Sequence, residues 1–184
     1  FPESPDIPDA LYQLASILRA NGDCYSASSL LNRLIEAYPN AAFTDKARVD
    51  LARCSISGGD FKRADELLTE TIANSTSAAD MDEVFFLQGE TKFIRGMLSE
   101  AQPIYKKIAE SFPESRFVND ALERMLFILD ASGVDTILVQ SYMTAVRDKS
   151  AGKFKEAADL FQGMALTMNE TALGPHAAYE YALC

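Results

Sequence analysis

The sequence is short of the residues on which most enzymatic and metal chemistry depends. Its 184 residues include one histidine, His176, and three cysteines, Cys24, Cys54 and Cys184. A nucleophilic site needs a nucleophile, a base and an orienting group together. Nothing in the sequence sets a serine or cysteine beside His176. Gly174-Pro175-His176-Ala177 reads instead as a helix start, with His176 as a capping or surface residue. The cysteines are odd in number, widely spaced and without a CxxC pair. That argues against a zinc site and a disulfide framework, and for small, partly buried hydrophobes. No glycine-rich phosphate loop, GxSxG, HExxH or EF-hand pattern occurs. The expectation is a non-catalytic chain that holds no metal and no cofactor.

Positive charge is also scarce. Lys and Arg number 17 against 27 Asp and Glu, a formal net charge of −10. Such a chain repels nucleic acid and anionic lipid, so neither is the expected partner. No apolar run approaches the roughly 20 residues of a membrane span, and no basic-then-apolar leader opens the sequence. Direct membrane insertion of this segment is therefore not expected. The chain is 48% hydrophobic and 24% charged, which are globular values.

What is present is a repeat. Gly22, Gly59, Gly96 and Gly133 follow one another at intervals of 37 residues, and Ala27, Ala64 and Ala101 keep the same spacing. Pro2 and Pro39 are one period apart, and Pro113 lies two further on, with Thr76 in the vacant place. A period between 20 and 50 residues signals a solenoid or an array. Each unit reads as two helices. In the first, Leu11, Leu14, Ala15 and Leu18 share one helical face. Asn21-Gly22 stops that helix and Asp23 caps the next. Ala27, Leu30, Leu31, Leu34 and Ile35 form the second apolar face, and Tyr38-Pro39 ends it. The same order recurs with Leu51, Ala52, Gly59, Phe61, Ala64 and Leu68, and again with Gly89, Gly96, Leu98, Ala101 and Tyr105. Ala64 and Ala101 are expected at close helix crossings. Strands are not expected, since no stretch alternates with period two beside a hairpin turn.

This pattern resembles the tetratricopeptide repeat: a hydrophobic pair and a small residue, a turn glycine, an apolar residue two later, then alanine, a large apolar residue and proline. Leu14, Ala15, Gly22, Cys24, Ala27, Leu31 and Pro39 fill those places in the first unit. A further signature, Gly152, Phe154, Ala157 and Phe161, lies near the end. The resemblance implies an all-α fold, a right-handed α-solenoid of antiparallel helix pairs with about ten helices. The period is 37 rather than the roughly 34 of the standard unit, and the additional residues follow the aromatic-proline, in 40–45 and 114–119. Longer units of this kind are similar to bacterial cell-envelope members of the family, the Tol–Pal accessory and outer-membrane-assembly lipoproteins.

The expected units are 8–40, 45–77 and 82–114. After them the register breaks, because Gly152 follows Gly133 by 19 residues. Residues 116–131 read as a helix with Ala121, Leu122, Met125, Leu126 and Leu129 as its apolar face. The helix 136–150 either completes an irregular unit 119–150 or opens a new pair over 136–170. A truncated helix follows at 174–184. Phe1-Pro2-Glu3-Ser4 reads as the close of a preceding repeat, so the chain is expected to be a segment of a longer protein, with self-association possible through exposed repeat ends.

In such solenoids the first helices line a concave groove that holds segments of other proteins. The register places Tyr12, Arg19, Lys46, Val49, Arg53, Phe86, Glu90, Phe93, Glu123 and Phe127 toward it. For Phe86, Phe93 and Phe127 the competing reading is core packing. Some tetratricopeptide proteins grip a C-terminal carboxylate with Lys and Asn on successive first helices. The matching positions here hold Tyr12, Ser16, Asp50, Glu83 and Leu87, so the resemblance does not extend to that clamp. The leading functional expectation is a scaffold binding a protein or peptide partner in a periplasmic or envelope setting. The alternative is a regulatory or sensory module of a larger, cytoplasmic signalling or DNA-binding protein.

Overall fold

In a computed structural model of the chain, the structure describes residues 6–74 and 80–184. The terminal Phe1-Pro2-Glu3-Ser4 motif and Thr76 lie outside the described residues. Among the described residues there are ten α-helices and no strand: α1 Ile7–Ala20, α2 Cys24–Ala37, α3 Thr44–Ser57, α4 Phe61–Asn74, α5 Met81–Ile94, α6 Leu98–Ser111, α7 Val118–Ala131, α8 Thr136–Ser150, α9 Phe154–Thr167 and α10 Leu173–Ala182. The fold is all-α, as expected of a helical-repeat solenoid. Its helices form two compact units, residues 1–84 and 85–184.

The glycine period explains how paired helices are joined. Gly22, Gly59, Gly96 and Gly152 have φ of 83°, 78°, 77° and 76°. These are left-handed conformations that close a helix and that a side chain would strain. Gly133 is not among them, so the fourth glycine of the 37-residue series does not make this turn, and Gly152 does. Asp23 caps α2 as read from sequence, its Oδ1 accepting from Ser26 N–H at 3.0 Å.

The connection from a second helix to the next first helix is also a repeated structure. Ala41 N–H donates to Tyr38 C=O and Thr44 N–H to Ala41 C=O; Ser115 to Phe112 and Val118 to Ser115 do the same 74 residues later. Thr171 to Met168 and Gly174 to Thr171 repeat it before α10. The residues that lengthen the period are thus ordered turns. They carry Phe43 and Phe117, which fold back onto first helices: Phe43 stacks on Tyr12 at 5.1 Å and Phe117 on Phe86 at 4.7 Å.

In the first unit α1 packs on α2, α2 on α3 and α3 on α4. Ala15, Ala27, Leu31, Leu34, Ala47, Ala52, Ala64 and Leu68 are fully buried. In the second unit α6 packs on α7, α8 on α9 and α9 on α10. Its core holds Ala101, Tyr105, Ile108, Ala121, Ala145, Ala157 and Phe161. Gly89 shows why a small residue is needed on α5. A methyl group there would come within 2.7 Å of the Tyr105 ring.

Two sequence expectations are corrected here. On α7, Ala121 is buried as expected, but the rest of the buried face is Phe127, Ile128 and Ala131, while Leu122, Leu126 and Leu129 are exposed. The helix carries apolar residues on more than one side, so period alone misidentified its inward face. Second, Cys24 and Cys54 form a disulfide, with Cα atoms 5.3 Å apart. An odd count leaves one cysteine over without forbidding a pair, and that one is the exposed Cys184.

Candidate functional site

The first unit contains a cleft of about 400 Å³ built mainly from α1 and α3, with Met81, Glu83 and Val84 closing one side. Tyr12, Arg19, Lys46, Val49 and Arg53, all assigned to the groove by register, line it, together with Asp50 and Glu83. Local helix geometry explains the grouping. Lys46, Val49 and Arg53 are spaced by three and four residues on α3 and share one face. Tyr12 and Arg19 lie two turns apart on α1.

The cleft is charged but largely self-compensated. Asp50, buried at the centre, pairs with Arg19 at 3.1 Å and with Arg53 at 3.8 Å. Arg53 also pairs with Glu83. Lys46 reaches Asp80 at 3.7 Å, with both side chains more than half exposed. Such an open pair contributes little stability and is readily exchanged for another partner. The Tyr12 phenol is held above its ordinary value, first by burial and then by the Asp50 carboxylate. Arg19 and Arg53 therefore hold first helices together, whereas Lys46 is exposed and Val49 half-buried on the cleft wall.

The same ion-pair lacing continues inside the second unit. Arg124 of α7 grips Glu90 of α5 with two bonds of 2.8 and 3.1 Å, and the Tyr105 hydroxyl donates to the same carboxylate at 2.6 Å. Burial pulls the Arg124 guanidinium down, but the Glu90 carboxylate reverses this and leaves it above its ordinary value. Lys149 of α8 pairs with Glu180 of α10 at 2.7 Å.

The remaining register-assigned residues divide. Phe86 is half-buried and, with Glu90 and Glu123, lines a second cleft in this unit. Phe93 and Phe127 are corrected to core: they are 1% and 3% exposed and meet edge-on at 5.2 Å. On α5, Val84, Phe85, Phe93 and Ile94 are all buried. A helix apolar around most of its circumference gives no face by periodicity. His176, read as a cap or surface residue, joins α10 to α7 by a 2.9 Å hydrogen bond to Asp130 and packs edge-on against Phe127. Sequence reading did not single out Phe43 and Phe117, although their 74-residue separation, two full periods, carried the signal. Among the described residues no group of three metal-ligating side chains gathers, and no described helix is long and apolar enough to cross a membrane.

Paired helices joined by left-handed glycines and ordered inter-repeat turns define a helical-repeat protein. The chain belongs to the YfiO family, described as outer membrane lipoprotein, whose pattern matches residues 5–147. No curated protein gives a significant match to the chain.

Proposed function

We propose that this chain is a non-catalytic, envelope-associated scaffold that binds a segment of another protein across α1 and α3. The observation that carries this reading is the first-unit cleft, where Tyr12, Lys46 and Val49 lie beside the ion-paired centre of Arg19, Asp50 and Arg53. Membership of an outer membrane lipoprotein family supports the envelope setting. The Cys24–Cys54 disulfide supports it independently, since such bonds persist in oxidising compartments such as the bacterial periplasm. The mixture of cations, carboxylates and a tyrosine suits a segment with apolar anchors and mixed charge.

The test is affinity capture from an envelope extract with the wild-type chain and with a Lys46→Glu, Val49→Asp variant. These positions avoid the ion pairs that hold the helices. The expected outcome is loss of specific partners from the variant at unchanged melting temperature. Equal capture by both would remove this cleft from the binding surface.

A further inference from the structure

The cleft of the second unit differs in chemistry from the first. It encloses about 460 Å³ between side chains of α5, α7, α8, α9 and α10. Its two cations are already committed, Arg124 to Glu90 and Lys149 to Glu180. Asp120 and Glu123, one turn apart on α7, also line it, and both are exposed. Neither carboxylate makes an ion pair or hydrogen bond with the described residues. The cleft therefore carries four carboxylates against two cations, on a chain whose formal charge is −10. Beside these carboxylates, Phe154 and Tyr179 are 52% and 60% exposed, on α9 and α10. Large rings exposed within a concave surface, next to uncompensated charge of one sign, have the composition of a docking site.

We propose that this cleft docks a segment of a partner protein carrying an aromatic or aliphatic anchor flanked by lysine or arginine. The anchor covers Phe154 and Tyr179, and the flanking cations meet Asp120 and Glu123. Charge complementarity selects this occupant. An acidic segment, a nucleic acid or an anionic membrane would set negative charge against both carboxylates. The proposal rests on the protein-interaction reading above and extends it to a separate surface with its own partner chemistry.

The probe is a short, labelled synthetic peptide alternating arginine with phenylalanine and leucine, added to the whole chain and followed by fluorescence anisotropy. Two companions replace its arginines with glutamate or its apolar residues with serine. The mixed peptide is expected to bind and to weaken as salt rises. Asp120→Lys with Glu123→Lys is expected to lower its affinity at least about tenfold, and Tyr179→Ser by about tenfold. The first-unit variant Lys46→Glu, Val49→Asp should leave this binding unchanged. If the lysine variant loses helicity, Asp120→Asn with Glu123→Gln gives the reading instead. Equal binding of either companion peptide, or no effect of the second-unit changes, overturns the proposal. So does failure of the mixed peptide to bind, and the first-unit cleft then still stands or falls on the capture experiment.

Discussion

At the scale of single residues, the small side chains of the repeat were the most legible feature, because its alanines are buried and three of its glycines take left-handed turns. Ala64 and Ala101 are fully buried. Changing either to Phe should cost about 1–3 kcal/mol through overpacking, read as a lowered urea midpoint. Gly89→Ala tests the same physics where two effects compete. Alanine stabilises an exposed helix interior over glycine by about 1 kcal/mol, but here its methyl group would meet the buried Tyr105 ring, which its hydroxyl ties to Glu90. The clash should win, with a net loss of about 1–2 kcal/mol; a gain in stability would show that the ring yields. Cysteine pairing was not legible. The partners lie 30 residues apart on helices of different repeats, and only the packing of α2 on α3 brings them together. Closing a loop of that length should contribute about 3–4 kcal/mol. Thiol titration of the unreduced, unfolded chain should find a single thiol, Cys184, and reduction should lower the urea midpoint.

At the scale of elements, helix positions followed from period and punctuation, while helix orientation did not always follow. The stretches read as 116–131 and 136–150 are α7, Val118–Ala131, and α8, Thr136–Ser150. Yet α7 exposes Leu126, which was read on its apolar face, and buries Ile128, which was not. Leu126→Ser should change stability by about 0.5 kcal/mol or less, as at an open surface site. A buried leucine would instead lose about 2–5 kcal/mol on truncation to alanine, so a drop of that size would return Leu126 to the core. Where elements meet, burial is also written into acid–base behaviour. Tyr105 and Tyr142 are both raised above the ordinary phenol value of 10.0 by burial, then by Glu90 and Glu180 respectively. A phenol raised in the fold favours the folded state fully below pH 10, and that stability is lost as pH rises through the folded values. Absorbance titration should therefore show a late tyrosine component that disappears in denaturant, together with falling stability above pH 10. Ionisation of every tyrosine at the ordinary value, with no change in stability there, would contradict the packing of Tyr105 on α5.

At the scale of the whole molecule, the repeat was legible in the sequence and the division of labour among its charges was not. Register placed Arg19, Arg53 and Glu90 toward a groove, but it could not show that each is committed to a neighbouring first helix, through Asp50, Glu83 and Arg124. Those partners are 30 to 34 residues away in sequence and meet only after the helices stack. On the function proposed above, binding falls to the residues between the ion pairs. Amide hydrogen exchange of the chain, with and without a partner captured from the envelope, tests this most directly. The account predicts new protection in α1 and α3, centred on Tyr12, Lys46 and Val49, with α2 and α4 unchanged. Protection confined to α2 and α4, or none in this unit, would contradict it.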